Sequence, residues 1–346
     1  MARRGRSRRK HSGLGCGGTL FLLFFVLLAA AGGAAWLLFT PYGPQSETFV
    51  EIPAGSSATR IGRLLEASGI VRTRYAFDAV RIWKHGTLRA GEYRFDHPAS
   101  VFEVYSRIQR GDVYTKTVVV PEGSTMFDIA ARLAEAGLGT REEFLQAAVR
   151  DTNLVADIDP RAKSLEGYLF PDTYHLPRKS TGDQIAAAMV HRFRQEAEKL
   201  GLKDNVRSVV TLASLVERES ALDSERPLVA SVFENRLAKK MPLMTDPSVI
   251  YGLELQHEWR GTIYASDLKR DTPYNTYLHA GMPPGPVANP GVPSLRAAME
   301  PAHTGYLYFV AAGKNPQGHS LFAETLEEHN RNVAGYRKAV KTAGTQ

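Results

Sequence analysis

One cysteine, Cys16, in a chain of 346 residues leaves no partner for an internal disulfide. Three catalytic signatures are missing as well: the His-Glu-x-x-His zinc helix, the phosphate-cradling Gly-x-x-x-x-Gly-Lys loop and the Gly-x-Ser-x-Gly nucleophile elbow. The ten histidines are scattered without ligand spacing, so neither metal nor cofactor is expected. Ser266 and Lys269 match the Ser-x-x-Lys pattern of penicillin-recognising enzymes, but no Lys-Thr-Gly partner follows. A surplus of charge is lacking too. The formal charge is +7, and Arg3, Arg4, Arg6, Arg8, Arg9 and Lys10 account for all but one unit of it. The body of the protein is nearly neutral, which argues against a nucleic-acid partner.

The basic cluster, within residues 1–13, directly precedes a charge-free run at residues 14–39. About 20 apolar residues suffice to span a bilayer as a helix. The cluster should stay cytoplasmic, which places everything after Thr40 on the far side of an inner or plasma membrane. A cleaved signal peptide competes, with Ala29–Ala31 or Ala34 and Ala35 as small residues at the cleavage site. The run is long for a signal and continues through Trp36 to Phe39, so a single uncleaved anchor is expected. Cys16 precedes the run, whereas an acylated lipoprotein cysteine would follow it.

Residues 40–48, with Pro41, Gly43 and Pro44, have the composition of a linker. A mixed region follows: strands near 50–53 and 91–95, and helices near 58–67, 75–83 and 101–108. Its opening recurs 68 residues on. Val50 to Ser56 aligns with Val118 to Ser124, and Ile61, Leu65 and Gly69 meet Ile129, Leu133 and Gly137. In each copy a strand feeds a Pro-x-Gly-Ser turn whose serine, Ser56 or Ser124, is placed to cap the next helix. The copies are either duplicated glycan-binding modules or one common strand-turn-helix unit used twice. Helices are expected at 141–148, 182–200, 206–220 and 225–237, a strand at 306–310 and a helix at 326–340. The stretch rich in proline and glycine between Pro273 and Pro293 reads as irregular binding loops.

Carboxylates are the best acid-base material in this chain. Glu219 ends an apolar helix and lies on the stripe of Leu212, Leu215 and Val216, seven, four and three positions earlier. Burying a carboxyl there disfavours its charged form, which suits a general acid near neutral pH. Glu217, two positions away, points about 160° from it, so the two cannot share one cleft. A solvated, charged helix end is the competing explanation of Glu217-Arg218-Glu219. Asp246 precedes Pro247 and could cap a helix, and Asn289-Pro290 could be turn chemistry.

Residues 210–220, with their Ala-Ser-Leu-Val-Glu-x-Glu core, resemble the helix of the MltG or YceG-like endolytic murein transglycosylases. The likeness continues through Ala230 to Leu237, Leu243 to Gly252, Thr272 to Tyr277, Gly281 to Pro286 and Asn289 to Gly291, and upstream through Leu165 to Tyr174. It spans about residues 50–338 in the family's order. The resemblance implies an α+β protein: a transmembrane helix, a LysM-like module at 49–117 and a mainly helical catalytic domain at 118–342. It implies that Glu219, the second glutamate of the motif, is catalytic and Glu217 supporting. Peptidoglycan strands are the implied substrate and cell-wall synthesis enzymes the implied neighbours.

In such an enzyme Glu219 would protonate the oxygen bridging N-acetylmuramic acid and N-acetylglucosamine. It would then take a proton from the C6 hydroxyl as the sugar closes into a 1,6-anhydro ring, a route that uses one carboxyl where ordinary glycosidases use two. Tyr274, Asn275, Thr276 and Tyr277 offer aromatic faces and polar groups for sugars, and Asn235, Asp246 and Tyr251 could add hydrogen bonds. Glu166 and Asp172 are the candidates for a second carboxylate, although both sit in a tight loop where a structural role is expected. A hydrolase using Asp172 or Asp246, and a scaffold that binds glycan without cutting it, are the rival functions.

Overall fold

The computed structural model describes residues 16–313 and 319–343; the basic segment expected at the cytoplasmic side lies outside them. The chain divides into two compact units, Met1–Tyr114 and Thr115–Gln346.

In the first unit α1 (Cys16–Phe39) is the apolar run. Its part Gly18–Phe39, with a mean hydropathy of 2.4, is long and apolar enough to cross a membrane. At 1.5 Å per residue such a helix reaches about 33 Å, against about 30 Å of bilayer hydrocarbon. Then come β1 (Thr48–Ile52), α2 (Ala58–Ala67), α3 (Arg74–Lys84), β2 (Gly91–Phe95) and α4 (Val101–Arg110). The two strands pair antiparallel with Val50 opposite Tyr93. Their inward side chains join Ile61 and Leu65 of α2, Phe77 of α3 and Tyr105 of α4 in one buried cluster.

The second unit opens with the same topology. β3 (Thr115–Val119) and β4 (Thr173–Pro177) pair antiparallel around α5 (Met126–Glu135) and α6 (Arg141–Arg150). The aligned positions behave alike. Ile52 and Val120 are buried, as are Leu65 and Leu133, and Gly55 and Gly123 share a φ of +74° that only glycine adopts without strain. One detail differs from expectation. The backbone N–H groups of Ser56 and Ser124 close their turns onto Pro53 and Pro121, so the helix cap falls one residue later. Ser57 and Thr125 take that place, accepting from the N–H of Arg60 and Asp128.

The rest of the unit is mainly helical: α7 (Gly182–Leu200), α8 (Val206–Glu219), α9 (Arg226–Ala238), α10 (Asp246–Leu255), α11 (Val292–Met299), β5 (Tyr308–Ala311), β6 (Ser320–Ala323) and α12 (Leu326–Ala343). Helix α11 corrects the expectation of continuous loops through Pro293, and α10 forms where Asp246 before Pro247 suggests a helix start. Pro247 and Pro293 each sit in the first helical turn, where the missing N–H has no intrahelical partner to lose. A mixed, mainly helical fold with few strands results. Its large core centres on α8, against which α9, α10 and α11 pack.

Candidate active site

α8 passes through the core, and every residue from Thr211 to Val216 is buried. Its last turn comes out of that core, and three successive side chains leave in three directions. Glu217 enters an internal ion pair, 2.7 Å from the Arg226 guanidinium, and accepts the Gly291 N–H at 3.0 Å. Arg218 donates to the Gly123 carbonyl at 3.0 Å. Glu219, the final helical residue, stays half-buried.

The surrounding protein mass desolvates the Glu219 carboxyl and pushes its pKa up to about 7; Asp246 adds to the rise, while Arg218 and Arg236 oppose it. Its place at the helix C-terminus, where the backbone dipole is negative, acts in the same direction as burial. Among the described residues no donor hydrogen-bonds this carboxyl, so it lacks the hydrogen bonds that hold a structural carboxylate ionised, and the two arginines only partly offset its burial.

Asp246 is the first residue of α10, and the Tyr277 hydroxyl donates to its Oδ1 at 2.6 Å. Arg236 comes from α9. Its Nε and Nη1 donate to the carbonyls of Leu307 and Leu243, each at 2.7 Å, and its guanidinium lies 5.3 Å from the centre of the Tyr308 ring. Burial lowers the Arg236 pKa, offset in part by Glu219 and Tyr277. Three helix ends and one loop therefore bring Glu219, Asp246, Tyr277 and Arg236 into mutual electrostatic contact. A carboxyl balanced near neutrality can give a proton and take it back, the ability acid-base catalysis needs.

The other expected site residues lie elsewhere in the fabric of the unit. Glu166 is buried, accepting from the Met126 N–H at 2.9 Å and the Asn289 amide at 2.6 Å, with the Tyr251 hydroxyl against it. Burial pushes it up to about 8. Tyr251 is buried as well and meets Tyr274 edge-on at 5.0 Å. Asp172 accepts from Arg192 at 2.5 Å and from the Thr173 N–H at 2.7 Å, and Arg192 holds its pKa below the usual range. The Asn235 amide donates to the Thr304 and Tyr306 carbonyls and lines a surface depression of about 460 Å³ beside residues 301–305. Asn275 ties down its own loop through the Leu268 and Arg270 carbonyls. Thr276 accepts the Thr245 N–H at the head of α10. Of the Tyr274 to Tyr277 segment, Tyr277 is the member that reaches the group around Glu219.

Sequence reasoning did not single out Arg236. The residue lies inside a quoted motif, but its contacts are backbone carbonyls, one of them 71 positions away, which no spacing rule reports. Glu254 on α10 was missed as well: desolvation and the nearby Asp128 push it up to about 7, and its buried Oε2 has no hydrogen-bond partner.

A mixed fold thus carries a desolvated carboxyl, raised to about 7, at the end of a buried helix, the arrangement of a candidate acid-base site. Comparison with known proteins narrows it, because the chain belongs to the YceG-like family, which matches residues 50–335. It is 33% identical to the endolytic murein transglycosylase of Bacillus subtilis, covering 85% of this chain and 86% of that protein. Identity to the endolytic murein transglycosylase of Streptococcus pneumoniae serotype 2 is 32%, covering 91% of this chain and 64% of that one. The crystal structure of a YceG-like protein from Listeria monocytogenes matches with a TM-score of 0.53 at 33% identity, over 83% of this chain and 99% of that one.

Proposed function

We propose that the protein is a membrane-anchored lytic transglycosylase that cuts peptidoglycan glycan strands internally, with Glu219 as its catalytic acid and base. The observation that carries this reading is the carboxyl itself: half-buried, unpaired, raised to about 7 and set beside a second carboxylate at the end of an apolar helix. The names of the relatives supply the substrate class.

In the forward step the Glu219 carboxyl gives its proton to the oxygen between N-acetylmuramic acid and N-acetylglucosamine, and the bond from C1 to that oxygen breaks. Positive charge grows at C1 and is held by the substrate's own N-acetyl group. The Glu219 carboxylate then takes the C6 hydroxyl proton as that oxygen bonds C1, giving a 1,6-anhydro end without consuming water. A hydroxyl on the same sugar has a high effective molarity, so a water-activating carboxylate is dispensable. Asp246, oriented by Tyr277, keeps Glu219 protonated beforehand and offers negative charge to the cationic sugar. In this reading α1 is a single-pass anchor with its N-terminus cytoplasmic, the βααβ unit of residues 49–117 is LysM-like, and cutting new strands ends their elongation beside the synthesis enzymes.

Glu219→Gln should abolish release of anhydro-ended fragments from purified murein while leaving the circular dichroism spectrum unchanged. Full activity in that variant would sink the assignment. A second reading, hydrolysis with Asp246 activating water, draws on its coupling to Glu219 alone. It predicts products heavier by one water.

A further inference from the structure

Helix α3 carries two apolar faces where a soluble helix needs one. Ala76, Phe77 and Val80 are buried in the core of the first unit. Tyr75, Ala79, Ile82 and Trp83, spaced i, i+4, i+7 and i+8, form a second stripe that points outward. Tyr75 is 66% exposed, Ile82 70% and Trp83 71%. Single exposed apolar side chains are ordinary, but a contiguous stripe of large ones marks a contact surface.

The position of the stripe identifies what covers it. The Trp83 ring meets Phe102 edge-on at 5.5 Å, and Phe102 stacks at 5.1 Å on Phe39, the last residue of α1. Trp83 thus stands two ring contacts from Phe39, the end of the apolar span; with α1 read as a membrane anchor, that end is where hydrocarbon gives way to headgroups. Cations accompany the rings. Arg72 lies over Trp36 and Tyr42 at 4.2 and 4.7 Å, Arg74 over Tyr75 at 4.7 Å, and Lys84 over Phe102 at 5.8 Å. Aromatic rings with basic side chains beside them are the composition of a membrane-water interface, where rings enter the headgroup layer and cations meet phosphates. On α3 itself the one acidic residue is the half-buried Asp78, and Glu103 of α4 is turned back into the Ser100 capping box.

We propose that the outward stripe of α3 is a second membrane contact, lying in the headgroup layer of the leaflet from which α1 emerges. This inference rests on the reading of α1 as a membrane anchor. A lone spanning helix leaves the domain it carries free to swivel; a helix lying in the interface beside it fixes how the first unit stands on the lipid.

The chain has three tryptophans, Trp36, Trp83 and Trp259, so each can be left as sole fluorophore by changing the other two to phenylalanine. The full chain is reconstituted in vesicles of phosphatidylcholine with phosphatidylglycerol, and each variant is quenched by lipid brominated near the headgroup or by aqueous acrylamide. Trp83 should be quenched by the brominated lipid several-fold more than Trp259 and should be shielded from acrylamide by a similar factor. Trp36 reports on the anchor alone, and its failure to respond to brominated lipid would remove that underlying reading. If Trp36 responds while Trp83 stays open to acrylamide, or is shielded from both quenchers as by a second protein surface, the second membrane contact is overturned.

Discussion

An acid is useful only while it holds its proton. With Glu219 near 7, its protonated fraction declines as pH rises through that value, so kcat/KM should fall by about tenfold per pH unit on the alkaline side. Asp246→Asn removes a neighbouring negative charge and lets the Glu219 pKa drop toward its ordinary value. The alkaline limb of the pH-rate profile should then move to lower pH; a limb that stays in place or moves up contradicts the role given to Asp246. Glu217 calls for a different measurement. Replacing it with alanine strips the buried Arg226 of its closest carboxylate, and the cost in chemical denaturation should be about 3 kcal/mol. That is the low end for a broken buried pair, because Asp223 remains 2.9 Å from Arg226. Glu219 was legible because one helical stripe connects it to Leu212, Leu215 and Val216. The partners of Glu217 were not, since Gly291 is 74 positions distant and glycine announces no acceptor.

Elements show where periodicity reads well and where it does not. α8 and α7 have long apolar patterns and lie within a residue or so of their expected bounds. α11 is short, has a proline in its first turn and begins inside the stretch dense in glycine and proline, so composition hid it, whereas α10, also short, announced itself only through Asp246 before Pro247. β4 and β6 escaped for a related reason: each has four or five residues and gains its register from a partner strand, not from its own pattern. Glu166 joins such elements, linking the first N–H of α5 to Asn289. Its carboxyl titrates near 4.5 when unfolded and near 8 when folded. Between those values the folded chain holds a proton that the unfolded chain has lost, so the stability this group contributes is present below about pH 4.5 and is lost as pH rises to about 8. Glu166→Ala should flatten that slope in denaturation measured across pH. The variant should also lose about 1–3 kcal/mol for each of the two donors left without an acceptor.

At the scale of the whole molecule the repeat offset of 68 residues is the part of the architecture that sequence displayed most directly. Matching glycines at 55 and 123, and at 69 and 137, share their positive φ values, because the same turn and the same helix exit require them in each unit. Asp246 and Tyr277 were among the expected site residues, but that they meet Glu219 together with Arg236 was beyond that reach, since α8, α9, α10 and the loop before residue 278 meet only through tertiary packing. Their convergence supports a single carboxyl that serves as donor and then as acceptor while the sugar closes on itself. Digesting murein with the reconstituted full chain in water enriched in heavy oxygen, and weighing the new ends by mass spectrometry, tests this most directly. Anhydro-ended fragments free of solvent oxygen are the predicted product. Ends one water heavier that carry the label would contradict the account and make the enzyme a hydrolase.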